Sequence, residues 1–182
     1  MDIEKFDSLG LKKPLLRGIY SYGFEKPSAI QKKAIPELLT GKDVIAQAQS
    51  GTGKTGAFTI GALQRLDESV KAIQILIVSP THELTRQTAE VVKNLSQYMD
   101  NVTMSLCVGG TSVRECRDEL EKNPSIVVGT PGRILDMIQR KSLYTTNIDM
   151  VMSVGESKIS PEFNLRVCGV LAVQSQVGVN TL

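Results

Sequence analysis

Apolar runs of strand length alternate along the chain with stretches whose apolar positions recur every three to four residues. Strands are predicted at 43–48 (DVIAQA), 73–80 (IQILIVSP), 103–110 (TMSLCVGG) and 125–132 (SIVVGTPG). The first, second and fourth are nearly continuously apolar, the pattern of strands covered on both faces. Helical spacing predicts helices at 54–66, 83–98, 112–122 and 131–139. Two more precede the first strand, at 14–22 and 28–39, the second closed by Gly41. Strand alternating with helix predicts an α/β fold, a mostly parallel sheet with helices on both faces and right-handed crossovers. A fifth strand is predicted at 148–154, after which the periodicity is lost. The late segment VCGVLAVQSQVGV is apolar and β-prone, and reads as an edge strand or an adhesive tail. The chain thus divides into a helical lead-in (1–40) belonging to the same domain, an α/β body (41–154) and a divergent tail (155–182).

Composition narrows the picture slightly. The 182 residues are 41% hydrophobic, enough for one compact domain with its own core. A net charge of +2 argues neither for nor against a nucleic-acid partner. With 4% aromatics and no Trp, broad base-stacking platforms are excluded. No secretory leader and no run near 20 apolar residues is visible, so no membrane association is expected. Cys107, Cys116 and Cys168 are odd in number and lack metal-ligand spacing. They read as reduced, buried thiols of a monomer in the cytoplasm, or in the nucleus.

Polar and glycine clusters fall at the predicted C-terminal ends of the strands: QSGTG, SPTHE, GGTS and GTPGR. Open parallel sheets bind ligands along that edge. The first cluster carries the chemistry. Ala48-x4-Gly53-Lys54-Thr55 satisfies the phosphate-loop pattern, with Ala in place of the generic first Gly. Gly51 and Gly53 let the backbone turn N–H groups inward, Lys54 reaches the β- and γ-phosphates, and the Thr55 hydroxyl suits Mg²⁺. The helix that follows presents its positive end to the anion. A nucleotide such as ATP, with Mg²⁺, is the expected ligand.

Five segments in order resemble the motifs of DEAD-box RNA helicases. FDSLGLKKPLLRGIYSYGFEKPSAIQ is similar to their Q motif, with Phe6 at the upstream aromatic. AQAQSGTGKT is similar to motif I, SPTHEL to motif Ia, Gly109–Gly110 to the glycine doublet, and TPGR at 130–133 to motif Ib. Within the family, YGFEKPSAIQ, AQAQSGTGKTGAF and VGGTSVRE look most like the four-A type of translation initiation factor. The resemblance runs from Phe6 to about Met150 and implies a RecA-like first domain, joined in the family to a second. It implies nucleotide contacts from Phe6, Phe24, Lys26, Gln31 and the loop Ala48, Gln49, Ser50, Gly51, Thr52, Gly53, Lys54 and Thr55. Lys54 would also offset transition-state charge. Gln31 can donate and accept at once, which suits the N6/N7 edge of adenine. Contacts to single-stranded RNA fall to Pro80, Thr81, Gly109, Gly110, Thr130 and Arg133, a sequence-independent grip on phosphate and sugar. Without the family, Gln31 reads as a surface side chain and the glycine doublet and TPGR as plain turns. Messenger RNA and initiation scaffold proteins are the partners the resemblance implies.

Departures from the family bear on activity. His82 stands where motif Ia has Arg, and Thr85 where it has Ala; a neutral imidazole does not replace a permanent guanidinium charge. His82 reads as a helix-start or surface residue. More consequential, the Asp-Glu-Ala-Asp of motif II is replaced in register by Val154-Gly155-Glu156-Ser157. Its first Asp holds Mg²⁺ and its Glu activates water, so no general base is intact. Glu156 lies two positions late, a displacement of roughly 6–7 Å along a strand. Phosphoryl transfer rests on metal positioning and charge stabilisation, so losing both acids removes most of the rate and spares binding. Three readings stand: an ATP- and RNA-binding helicase domain with little turnover, a truncated non-catalytic form acting through protein contacts, and a marginally folded fragment whose apolar tail leaves core surface uncovered.

Overall fold

The computed structural model describes residues 3–154 and the strand at 170–175. A 3₁₀ turn (Phe6–Leu9) leads into helices α1 (Lys13–Ser21) and α2 (Ala29–Leu39). Then β1 (Val44–Ala48), α3 (Lys54–Arg65), β2 (Ile75–Val78), α4 (His82–Ser96), β3 (Met104–Cys107), α5 (Val113–Leu120), β4 (Ile126–Gly129), α6 (Pro131–Gln139) and β5 (Met150–Val154) alternate. The last strand is β6 (Val170–Ser175). All described pairings are parallel, in the order β1-β6-β5-β2-β4-β3. The expected α/β architecture is present, with strand and helix limits shifted by a few residues.

Alternation along the central strands sorts the core into two layers. Ile75 and Ile77 of β2 face α1–α4, in a cluster with Phe58, Ile60, Leu63, Val92 and Leu95. Leu76 and Val78 face α5 and α6, with Leu120, Ile134 and Met137. β2 and β4 are buried throughout, as their continuous apolar sequence requires. α3 is nearly buried along its length because it lies between α2 and α4.

Two expectations are corrected. The apolar run of β1 predicts cover on both faces, but β1 is an edge strand, and Ile45 is 77% exposed. Val44 and Ala46 pack toward the helices, whereas Ile45 and Gln47 turn outward. The late apolar segment is neither edge nor loose tail in its strand portion. β6 fills the slot between β1 and β5, pairing Leu171 with Val44 and Val170 with Val151. Its place is decided by backbone pairing with β5 on one side and, on the other, with β1 more than 100 residues away, which composition cannot report. Gly155, Glu156, Ser157 and Cys168 lie outside the described residues.

Candidate nucleotide and RNA site

The C-terminal ends of the strands open on a cavity of about 360 Å³. Tyr22, Phe24, Ser50, Gly51, Gly53, Lys54, Thr55, Gly56, Leu84, Val91 and Val154 line it. The loop from β1 to α3 adopts its shape through Gly51 (φ +78°) and Gly53 (φ +91°), a region L-residues avoid. A β-carbon on Gly53 would also lie 2.8 Å from Gln31 Nε2, and one on Gly56 2.8 Å from the Phe24 ring. Only glycine fits at either point. The backbone is thereby shaped to accept phosphate oxygens.

The lysine of this cradle is held ready. Lys54 is buried and its Nζ donates to the carbonyls of Ala48 and of Gln49, the latter at 2.6 Å. Desolvation lowers its pKa from the ordinary lysine value, so an arriving phosphate restores a charge balance that burial disfavours. Thr52 Oγ1 donates to Gln49 O at 2.7 Å and closes the loop.

The α2 N-terminus buttresses the cradle. Ser28 caps α2, its N–H donating to Gln31 Oε1 at 2.8 Å and its hydroxyl accepting from Gln31 N–H. The same hydroxyl donates to Thr52 O at 2.8 Å, and Gln31 Nε2 donates to Gly53 O at 3.4 Å. Gln31, 3% exposed, is therefore tied to the phosphate loop, leaving one amide hydrogen and spare oxygen lone pairs. Ser28 escaped the sequence reading as a site residue, although S-x-x-Q is a capping-box signature. Replacing Ser28 with Ala removes the cap and the tie, with an expected cost of about 1 kcal/mol in thermal or urea unfolding.

The aromatic residues divide differently from the expectation. Phe24 reaches the cavity, but Phe6 is fully buried in the core. Its ring stacks 6.3 Å from Phe24 with an interplanar angle of 20°. Phe6 therefore supports Phe24 from behind. Tyr22, 4.8 Å from Phe24 and edge-on, joins the cavity wall unforeseen. Lys26 lines a separate shallow groove with Glu4, Pro27 and Lys32.

A second surface forms where the adjacent strands β2, β4 and β3 end. Pro80 and Thr81 are exposed, and Thr81 Oγ1 caps α4 by accepting from Leu84 N–H at 3.2 Å. Gly109 N–H donates to Thr130 Oγ1 at 3.3 Å, joining the glycine doublet to the TPGR turn. Arg133, 9% exposed, donates Nη2 to Thr111 O at 2.8 Å and Nη1 to Thr111 Oγ1 at 3.2 Å. Its guanidinium clamps the turn and is not splayed into solvent. His82 opens α4 over this turn, with Nε2 3.4 Å from where a β-carbon on Gly109 would stand. The six residues that the resemblance assigns to RNA and His82 thus gather at these adjacent strand ends, with Thr130 and Arg133 buried there.

The wall that should hold acids is apolar. Val154 is buried at the end of β5 and lines the same cavity as Lys54 and Thr55. Among the described residues no three His, Cys, Asp or Glu side chains gather to hold a metal ion. The cradle fits a polyphosphate; for Mg²⁺, Thr55 offers one oxygen and Val154 none.

The profile of the DEAD/DEAH box helicases matches residues 28–153, ending one residue before Val154. The chain belongs to the DEAD/DEAH box helicase family. It is 49% identical over 174 residues to the ATP-dependent RNA helicase eIF4A of Neosartorya fischeri, covering 95% of this chain and 44% of that protein. It is 51% identical over 166 residues to the eIF4A of Eremothecium gossypii, covering 91% and 42%. The chain thus spans less than half the length of these relatives. Among solved structures, a DEAD box protein of the hyperthermophile Methanococcus jannaschii superposes with a TM-score of 0.85 at 30% identity, covering 98% of this chain and 52% of that one. S. cerevisiae Dbp5 bound to RNA and ADP BeF3 superposes with a TM-score of 0.82 at 33% identity, covering 97% and 47%. The family explains why a phosphate cradle and a surface of glycine turns share one sheet edge.

Proposed function

We propose that this helicase-family chain binds ATP in the Lys54 cradle and single-stranded RNA across the β2–β4–β3 edge, with ATP turnover at background level. The observation that carries the reading is one cavity shared by an intact phosphate loop and an apolar Val154. Loop N–H groups and Lys54 hold the phosphates, Phe24 and Tyr22 flank the base, and the free amide hydrogen and lone pair of Gln31 read the adenine edge. Thr55 supplies one oxygen to Mg²⁺; the bound ion's chemistry is neutralisation of phosphate charge. No side chain in the described wall of the cavity takes a proton from the attacking water. RNA is gripped by the exposed amides of Gly109 and Gly110, by Thr81 and Thr130, and by Arg133 once it leaves Thr111. The setting is translation initiation in the cytoplasm, with messenger RNA and its scaffold proteins as partners.

The test is equilibrium binding of a fluorescent non-hydrolysable ATP analogue and of labelled single-stranded RNA. The analogue binds, and RNA affinity falls as salt rises while ignoring base order. An analogue that fails to bind at millimolar concentration sinks the nucleotide half, and a strong base-sequence preference sinks the backbone-grip half.

A further inference from the structure

Beneath the RNA-facing turn lie two thiols that neither role uses. Cys107 ends β3 and Cys116 lies in α5, both buried, with Sγ atoms 3.2 Å apart. A disulfide needs about 2.05 Å, so closure requires a movement of about 1.2 Å. Cys107 is held in place: its carbonyl accepts from Thr130 N–H at 2.9 Å, and a β-carbon on Gly129 would collide with that same carbonyl oxygen. α5 is freer. It is a two-turn helix at the sheet's edge strand, and only Cys116 and Leu120 of it are buried. Its first turn can supply the shift.

We propose that Cys107 and Cys116 form a reversible intramolecular disulfide that locks the 108–115 turn against β3. The segment between them holds the glycine doublet, the Arg133-clamped Thr111 and the α5 cap Ser112. The roles of the thiols are set by their surroundings. The contact with the Cys116 sulfur, together with burial, raises the pKa of the Cys107 thiol. The same contact and the neighbouring Arg133 guanidinium lower the Cys116 pKa to about 7. Cys116 is the nucleophile.

Hydrogen peroxide is the oxidant. The Cys116 thiolate attacks one peroxide oxygen, the O–O bond breaks, and hydroxide leaves to form water with the displaced thiol proton. Cys107 sulfur then attacks the sulfenic sulfur. The S–O bond breaks, and the Cys107 proton leaves with that oxygen as a second water. Two thiols are oxidised and one peroxide is reduced to two waters. A dithiol reductant reverses the bond, as suits a reducing compartment. The lock rests on thiol geometry and does not require the RNA reading.

The test treats the full chain with peroxide and compares it with Cys116→Ser and with Cys168→Ser, which removes the third thiol. Trypsin cuts after Lys93, Arg114 and Arg117, so the bond links peptide 94–114 to peptide 115–117. The expected result is this linked pair in the wild type and Cys168→Ser, absent in Cys116→Ser and after dithiothreitol. Closing so short a loop raises Tm by roughly 5 °C and slows amide exchange across 108–115. A bond from Cys168 to either thiol in place of the linked pair, or the linked pair with unchanged exchange across 108–115, overturns the lock.

Discussion

Lys54→Ala weakens binding of an ATP analogue by about 100-fold, because charge-assisted contacts to the outer phosphates worth about 3 kcal/mol are lost. The effect discriminates among nucleotides. In the proposed binding mode Lys54 reaches past the α-phosphate, so AMP affinity is expected to change little and the loss to appear for di- and triphosphates. The fold survives, since Lys54 contributes only loop-carbonyl hydrogen bonds and lies outside both apolar clusters. Titration of the variant with AMP, ADP and the analogue checks the ordering. An equal loss for all three would assign Lys54 to shaping the loop and not to holding phosphate.

Gly18→Ala destabilises the domain by about 3 kcal/mol, the upper range for overpacking, and lowers Tm by roughly 6–12 °C. A β-carbon at Gly18 would run into the backbone carbonyl oxygen of Leu95 and come within 2.9 Å of its carbonyl carbon. The obstacle is main chain, so no side-chain rotation relieves it. α1 must draw back from α4, carrying Leu15 and Ile19 out of the core. Gly132→Ala is the contrasting variant. Nothing lies within 4 Å of its added carbon, and the change in helix α6 is neutral or stabilising by up to about 1 kcal/mol. Thermal unfolding of both variants measures the difference.

The parts of this molecule written in local sequence are legible in it directly. The phosphate loop is such a part, because its strand, glycines and helix are contiguous, and so is the alternation that makes the sheet parallel. What depends on distant partners stayed hidden. β1 and β2 look equally apolar, yet one ends at an edge with Ile45 in solvent and the other is buried. Phe6 resembles a ligand-facing aromatic but is packed behind Phe24, a relation set by how the first turn folds back on α1. Arg133 reads as a free phosphate fork, whereas Thr111, 22 residues earlier, already holds it. Ser28 lies between these cases. Its capping box is local and visible, but the bond from its hydroxyl to Thr52 joins residues 24 positions apart.

The replacement of acids by Val154 is the feature on which the functional reading turns, and hydrolysis measures it directly. Purified chain is mixed with ATP, Mg²⁺ and saturating single-stranded RNA, and phosphate release is compared with Lys54→Ala. The expected result is no RNA-stimulated turnover above the variant, with the analogue still bound by the wild type. RNA-stimulated phosphate release abolished by Lys54→Ala would contradict it, and would mean that an acid such as Glu156 reaches the cavity to replace those that motif II lacks.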